Sequence, residues 1–356
     1  MEFLTTIDMK RLVMFIAALA LVCSCSKDEM IGDVEPGQES VLYLSLAPDS
    51  KSSGSESSTK ATGEGHGSQA FDNNIQTLEV FVFRINEGKP DDGVLDGYRK
   101  FTGAELGNLT NLEVQTTTGK KMIYAVANSH RVNWKGINTR ALFEEQTASL
   151  KDEDVKNFMM IGGTEAQLQL ASTVSFSIRR LVARIKVNSI KTAFAGGPYE
   201  GMPLTDLKAY LINVQASKII YNGEGENFSI LNNGKYVEAD SRGCVMTGLI
   251  ADAIATPVYD DGYSVPHYFY CYENALQSET GGNKFTRIVL EGKLNGITYY
   301  YPIPIKGIAR NSCYSIDITI KRPGSLDPST DVEKGTLLAT MTVLDWNVMD
   351  ESNVEF

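Results

Sequence analysis

Histidine is scarce in this chain, and each instance stands alone. The 356 residues contain 3 histidines. His66 falls in a polar loop, His130 at a strand end and His267 within a strand. None has another His, a Cys or a paired acid at metal-ligand spacing, so each reads as a lone surface side chain. Positive charge is also in deficit. Lys and Arg number 33 against 44 Asp and Glu, a net charge of −11, which leaves nothing to neutralise a phosphate backbone and excludes a nucleic-acid partner. There is no GxSxG elbow, no Walker loop and no GxGxxG turn, so no activated serine or phosphate cradle is on offer. The 5 cysteines include no CxxC pair. Asp91-Asp92-Gly93 and Asp260-Asp261-Gly262 carry oxygens that suit calcium, but Asp-Gly is among the commonest turn dipeptides, and turns are the better reading. No catalytic residue, metal ligand or cofactor is expected.

Long apolar runs are missing too. Residues 12–22 are apolar, but eleven residues are too short to cross a bilayer. They follow Met9, Lys10 and Arg11 and end in Val22-Cys23-Ser24-Cys25. A basic start, an apolar centre and a small residue before Cys resemble a lipoprotein signal, with 1–24 removed and Cys25 carrying the lipid; a plain secretory signal with incidental cysteines is the alternative. Residues 1–8 add nothing to that pattern, so translation starting at Met9 is an alternative. Cys244, Cys271 and Cys313 would remain in the mature chain. They are expected as buried thiols, with one bridge among the three as the alternative.

What the chain has in quantity is strand pattern. In residues 41–47, Leu42, Leu44 and Leu46 share one face, and Val41 and Tyr43 share the other. Both faces are largely apolar, as in a strand buried within a sandwich. Residues 48–67 form a Ser- and Gly-rich loop carrying Lys51 and Lys60, with nothing apolar to fold it away. Strands are expected over 75–85, 112–116, 122–127, 168–178, 181–190, 207–214, 265–272, 287–294, 297–305, 313–321 and 337–348. Helical composition marks 139–150 and 151–159 as one or two short helices. The texture changes after Ile190, and a boundary is expected near 180–187. The fold class is therefore all-β with one or two short helices, in two β-sandwiches. The aromatic runs 268–272 and 299–301 suit either a sugar platform or strand core, and core is the commoner use.

Several separated pieces together resemble the FimA-like fimbrillins, major subunits of the type V pili of Bacteroidota. They are the lipoprotein signal with Ser26-Lys27-Asp28-Glu29, similar to a surface-export signal; Lys60-Ala61-Thr62; 74–83; Tyr124-Ala125-Val126-Ala127-Asn128; 180–185; Tyr270-Cys271-Tyr272-Glu273-Asn274; and 342–348. The resemblance implies two tandem transthyretin-like β-sandwich domains, 61–184 and 185–356, behind a lipidated pro-segment, 25–60. It implies export to the outer membrane with lipid on Cys25. A trypsin-like surface protease then cuts between Lys60 and Ala61, with Lys51 as the alternative. The strand of Val41, Leu42, Tyr43, Leu44 and Leu46 would leave. The tail of a neighbouring copy or related pilin, carrying Leu344, Trp346, Val348, Val354 and Phe356, would fill the groove in a growing fimbrium. A tip adhesin or stationary surface lipoprotein binding glycan or protein is the other expectation.

Overall fold

A computed structural model describes residues 35–48, 74–129, 132–221, 229–237, 249–333 and 335–346. The chain divides into two units, Met1–Glu35 and Pro36–Phe356, and nearly all of the described residues belong to the second.

The first run of strands is β1 (Glu39–Pro48), β2 (Thr77–Arg84), β3 (Leu95–Thr102), β4 (Leu112–Thr117), β5 (Gly119–Ala127), β6 (Thr147–Ser149), β7 (Met160–Leu168) and β8 (Ala171–Arg180), with helix α1 (Arg140–Glu144) before β6. Seven of these make one sheet in the order β3-β2-β5-β7-β8-β1-β4. The sheet bends at β7–β8, where only Met160↔Arg180 and Ile161↔Arg179 are paired. Gly162 permits this corner: a Cβ there would lie 2.0 Å from the Ser177 carbonyl oxygen. The result is a layer β3-β2-β5-β7 facing a layer β8-β1-β4. Leu42, Leu44, Leu46, Leu112, Val114 and Ile178 of the second layer share a core with Leu78, Val80, Val82, Phe101 and Ile123 of the first. Strand β2 is buried on both faces, because Phe81 and Phe83 pack with Tyr124 and Phe143 in a second, larger core. That explains its nearly unbroken apolar sequence.

The second run is β9 (Val182–Thr192), β10 (Thr205–Ile212), β11 (Val214–Gln215), β12 (Ser217–Ile219), β13 (Ile230–Leu231), β14 (Ala251–Ile254), β15 (His267–Tyr272), β16 (Thr286–Leu294), β17 (Ile297–Ile305), β18 (Ser312–Ile320) and β19 (Leu337–Asp345). Two four-stranded sheets form, β14-β10-β16-β17 and β15-β9-β18-β19. Ile185, Phe269 and Ile316 of one and Leu211, Ile288 and Ile305 of the other belong to a single apolar cluster. Strand pairing changes over between Arg180 and Val182. Among the described residues, β6 with β12 is the one pairing between the two runs.

The chain is all-β with little helix, as its strand patterns predict. Three local expectations fail. Residues 151–159 are not helical: a single 3-10 turn at Leu150–Asp152 precedes an irregular stretch. Strand β6 takes up 147–149, within the other expected helix, because pairing with β12 overrides local propensity. Strand β3 lies partly where only a turn is expected, and its charged residues Asp96, Arg99 and Lys100 break the apolar pattern that would mark a strand.

Candidate functional site

β1 sits in the middle of its layer. It runs parallel to β8, with Leu42↔Ser172, Leu44↔Val174 and Leu46↔Phe176 in register, and antiparallel to β4, with Leu42↔Val114 and Leu44↔Leu112. Leu42 and Leu44 are fully buried and Leu46 nearly so, while Val41, Tyr43 and Ser45 on the other face stay half-buried. This is the period-two pattern of the sequence turned into structure. Backbone bonds at the ends fasten the strand: Val41 N to Leu170 O at 3.1 Å and Leu46 N to Leu109 O at 2.9 Å. The Ser40 hydroxyl donates to the Gln169 carbonyl. Without β1, β8 would keep its short corner pairing and β4 would have no strand partner among the described residues. Two rows of backbone groups and an apolar trough would then face water.

The far side of β4 meets β3 through side chains. A Cβ on Gly97 would come within 2.6 Å of the Gln115 carbonyl oxygen, so the absence of a side chain lets the two backbones approach. Arg99 Nη1 donates to Glu113 O at 2.7 Å. The Asp96 carboxylate accepts from Thr116 Oγ1 at 2.6 Å, Thr117 N at 2.9 Å and Thr117 Oγ1 at 2.8 Å. Arg84 Nε at 2.7 Å and Lys121 Nζ at 2.9 Å complete its shell. Burial alone would raise the Asp96 pKa. The bonds from Thr116, Lys121, Arg84 and Thr117 outweigh it and hold the carboxyl well below the usual range.

At the other end of the chain, β19 is an edge strand paired antiparallel to β18, with Leu344 opposite Cys313. Trp346 follows and is buried. Its ring lies under the guanidinium groups of Arg180, at 4.6 Å, and Arg184, at 4.3 Å. Tyr270 and Phe158 pack against it with centroids 5.8 and 5.7 Å away. The segments singled out in the sequence meet here: 180–185 supplies the arginines, 270–274 the tyrosine and 342–348 the indole. Asn128, closing the Tyr124–Asn128 segment, is at φ 53° and donates through Nδ2 to Phe158 O at 3.0 Å. What the sequence does not reveal is this convergence, nor the role of Asp96, which sits in an ordinary-looking charged stretch.

Leu344 and Trp346 are thus built into their own subunit here. Cys25, Lys51, Lys60, Ala61, Val348, Val354 and Phe356 lie outside the described residues, as do His66, His130 and Cys244. His267 corrects an expectation, because it is buried rather than on the surface. Its Nδ1 lies 2.7 Å from Asp252 Oδ2 and its Nε2 2.8 Å from the Tyr263 hydroxyl, so the ring ties β14 to β15. Cys271 and Cys313 are buried free thiols. The aromatic run 268–272 is core, and Asp91 and Asp92 hold a turn by accepting from Asn86 and Arg84. Among the described residues no three His, Cys, Asp or Glu side chains are grouped to hold a metal ion, and no helix is long and apolar enough to cross a membrane.

Comparison with known proteins returns the same family. Residues 43–192 match the family model described as major fimbrial subunit protein (FimA). The major fimbrium subunit FimC of Porphyromonas gingivalis is 26% identical over 300 residues, covering 77% of this chain and 58% of its own length. The chain therefore spans little more than half of that relative. Among solved structures, a candidate cell adhesion protein of Bacteroides eggerthii has a TM-score of 0.62 at 19% identity, covering 88% of this chain and 98% of its own. A fimbrilin (fimA) of Porphyromonas gingivalis has a TM-score of 0.58 at 16% identity, covering 88% and 98%. The tip fimbrial protein Mfa3 of Porphyromonas gingivalis, with a C-terminal truncation, has a TM-score of 0.50 at 13% identity, covering 86% and 100%, so the fold by itself does not choose between fimbrial roles. The matched proteins are fimbrial subunits and adhesion proteins rather than enzymes, and by its match over residues 43–192 and its shared fold this chain resembles the FimA-like fimbrillins.

Proposed function

We propose that the chain is a structural pilin of a fimbrial stalk, polymerised by exchanging β1 for a strand from a neighbouring copy. The observation that carries this reading is the position of β1. It is the centre of a three-stranded layer, and it is joined to β2 only through residues 49–73, where Lys51 and Lys60 offer sites to a trypsin-like protease. Burying three leucines contributes about 5–9 kcal/mol at ~1.5–3 kcal/mol each, comparable with the whole stability of a domain. A groove vacated by such a strand is short-lived, because its unpaired backbone and open core favour refilling. Another strand takes its place, satisfying the backbone of β4 and β8 and restoring the core by β-augmentation. A head-to-tail contact of this kind does not close on itself and builds a fibre.

The donor in this reading is the tail beyond Trp346, which carries Val348 and, in another stretch, Val354 and Phe356. Leu344 and Trp346 anchor its root. Before the cut, lipid on Cys25 holds the precursor at the outer membrane, and an occupied groove prevents early assembly. In this reading the chain forms two sandwiches divided near 180–187, and the change of strand pairing between Arg180 and Val182 supports it.

The test is limited trypsin treatment of the purified full chain, followed by intact mass and an unboiled gel. Loss of everything through Lys60 together with a ladder of oligomers is expected. A chain ending at Trp346 should be cut in the same way yet stay short. A cut chain that remains a monomer indefinitely refutes the stalk reading, and ladders from the shortened chain refute the donor.

A further inference from the structure

We propose that Asp96 is a positioning residue that keeps β4 standing as one wall of the groove after β1 has gone. The inference rests on the strand-exchange reading above. β1 is the one strand hydrogen-bonded to β4 among the described residues. Once it departs, β4 is a six-residue strand with no ladder on either side, and lone strands do not hold an extended shape in water. A vacated groove accepts a new strand only if its wall is already in place, because ordering that wall during capture would oppose binding.

β3 supplies what the ladder cannot. Its contact with β4 is not a strand pairing among the described residues but a set of local anchors: Asp96 on Thr116 and Thr117, Arg99 on the Glu113 carbonyl, and Gly97 against Gln115. Asp96 is the strongest of these anchors. Its side chain is 1% exposed, and Arg84 and Lys121 neutralise it from β2 and β5. Its charge-assisted bonds reach both the backbone and the side chain at the hinge end of β4, beside the turn into β5. Arg84 and Lys121 thereby tie the wall to the opposite layer, in which β2 and β5 make no pairing with β1.

The experiment uses the full chain with a specific protease site inserted within residues 49–73, in wild-type and Asp96→Asn forms. Amide exchange of 112–117 is followed before and after cutting, and a labelled synthetic peptide of residues 39–48 probes the open groove. D96N should speed exchange at 116–117 a few-fold in the uncut chain. After strand release it should speed exchange across β4 by about tenfold to a hundredfold, the loss expected for bonds to a charged acceptor. Peptide affinity should fall by at least about tenfold. Thr117→Val, with the same readouts, serves if D96N does not fold, and Thr117→Ser should restore wild-type values. Unchanged exchange and unchanged peptide affinity in the cut variant overturn the proposal. If the cut wild-type chain keeps its strand, the strand-exchange reading fails instead. The anchor is then judged in the uncut chain, where unaltered exchange at 116–117 overturns it.

Discussion

Leu44 offers the sharpest separation between a permanent core strand and a temporary one. It is fully buried, paired with Val174 on one side and Leu112 on the other. Leu44→Ala removes a large part of a buried side chain and leaves a cavity between two layers. Such truncations cost about 2–5 kcal/mol, and the position of Leu44 at the centre of β1 argues for the upper half of that range. Urea unfolding of the uncut precursor should show that loss as a lower midpoint with little change in slope. The same substitution should then vanish from the assembled material, because there a neighbour's tail fills the groove. Filaments grown from L44A and wild-type chains should unfold at the same urea concentration. Assembly after cutting should be faster for L44A, since a weaker strand is easier to displace. Filaments of L44A that carry the full loss seen in the precursor would refute strand replacement, because β1 would still be contributing its core.

Trp346→Ala should cost the monomer about 3–5 kcal/mol, from lost packing on Tyr270 and Phe158 and from two guanidinium groups left without their ring. A urea midpoint within error of wild type would show that the indole is not an anchor. Glu153 should make stability depend on pH. Burial raises its carboxyl to about 7, although the Met159 N–H and the Tyr272 hydroxyl donate to it. Its folded pKa lies above its unfolded one, so its contribution is complete below about pH 4.5 and is lost as the pH rises through about 7. Glu153→Gln should match wild type near pH 4.5 and exceed it above pH 7 by about 1–2 kcal/mol, a figure reduced because the residue keeps partial exposure. Parallel stability curves across that window would contradict the assignment.

Much of this fold was legible because its strands carry strong period-two or doubly buried patterns. Leu42, Leu44 and Leu46 announced an internal strand, and β9, β16, β17 and β18 fall within a residue or two of where their apolar runs place them. β3 was not legible, because a strand that uses its side chains as anchors reads as a polar loop. Residues 147–159 misled for the opposite reason. Their composition favours helix, but Thr147–Ser149 is recruited by β12 and Leu150–Asp152 closes a turn. His267 looked solitary because its acidic partner Asp252 lies on β14 and is brought to it only by the fold, while the nearby Tyr263 is an uncharged partner that no metal-ligand spacing marks. The same holds for the candidate site. The sequence exposes β1, the strand proposed to leave, and the lysines that follow it. Which neighbours brace β4 is a matter of topology, and Asp96 reaches Thr117 only because β3 and β4, at opposite ends of the strand order, come side by side.

The proposed replacement of β1 by a neighbour's tail can be tested directly. Two populations of the full chain, one isotopically heavy and one light, are mixed, cut, allowed to assemble and cross-linked, and the linked peptides are identified by mass. If β1 is exchanged, heavy–light links should join residues beyond Trp346 of one copy to β4 or β8 of another, and peptides containing residues 39–48 should be absent from the filaments. Links confined to a single copy, with residues 39–48 retained between β4 and β8, would contradict the exchange.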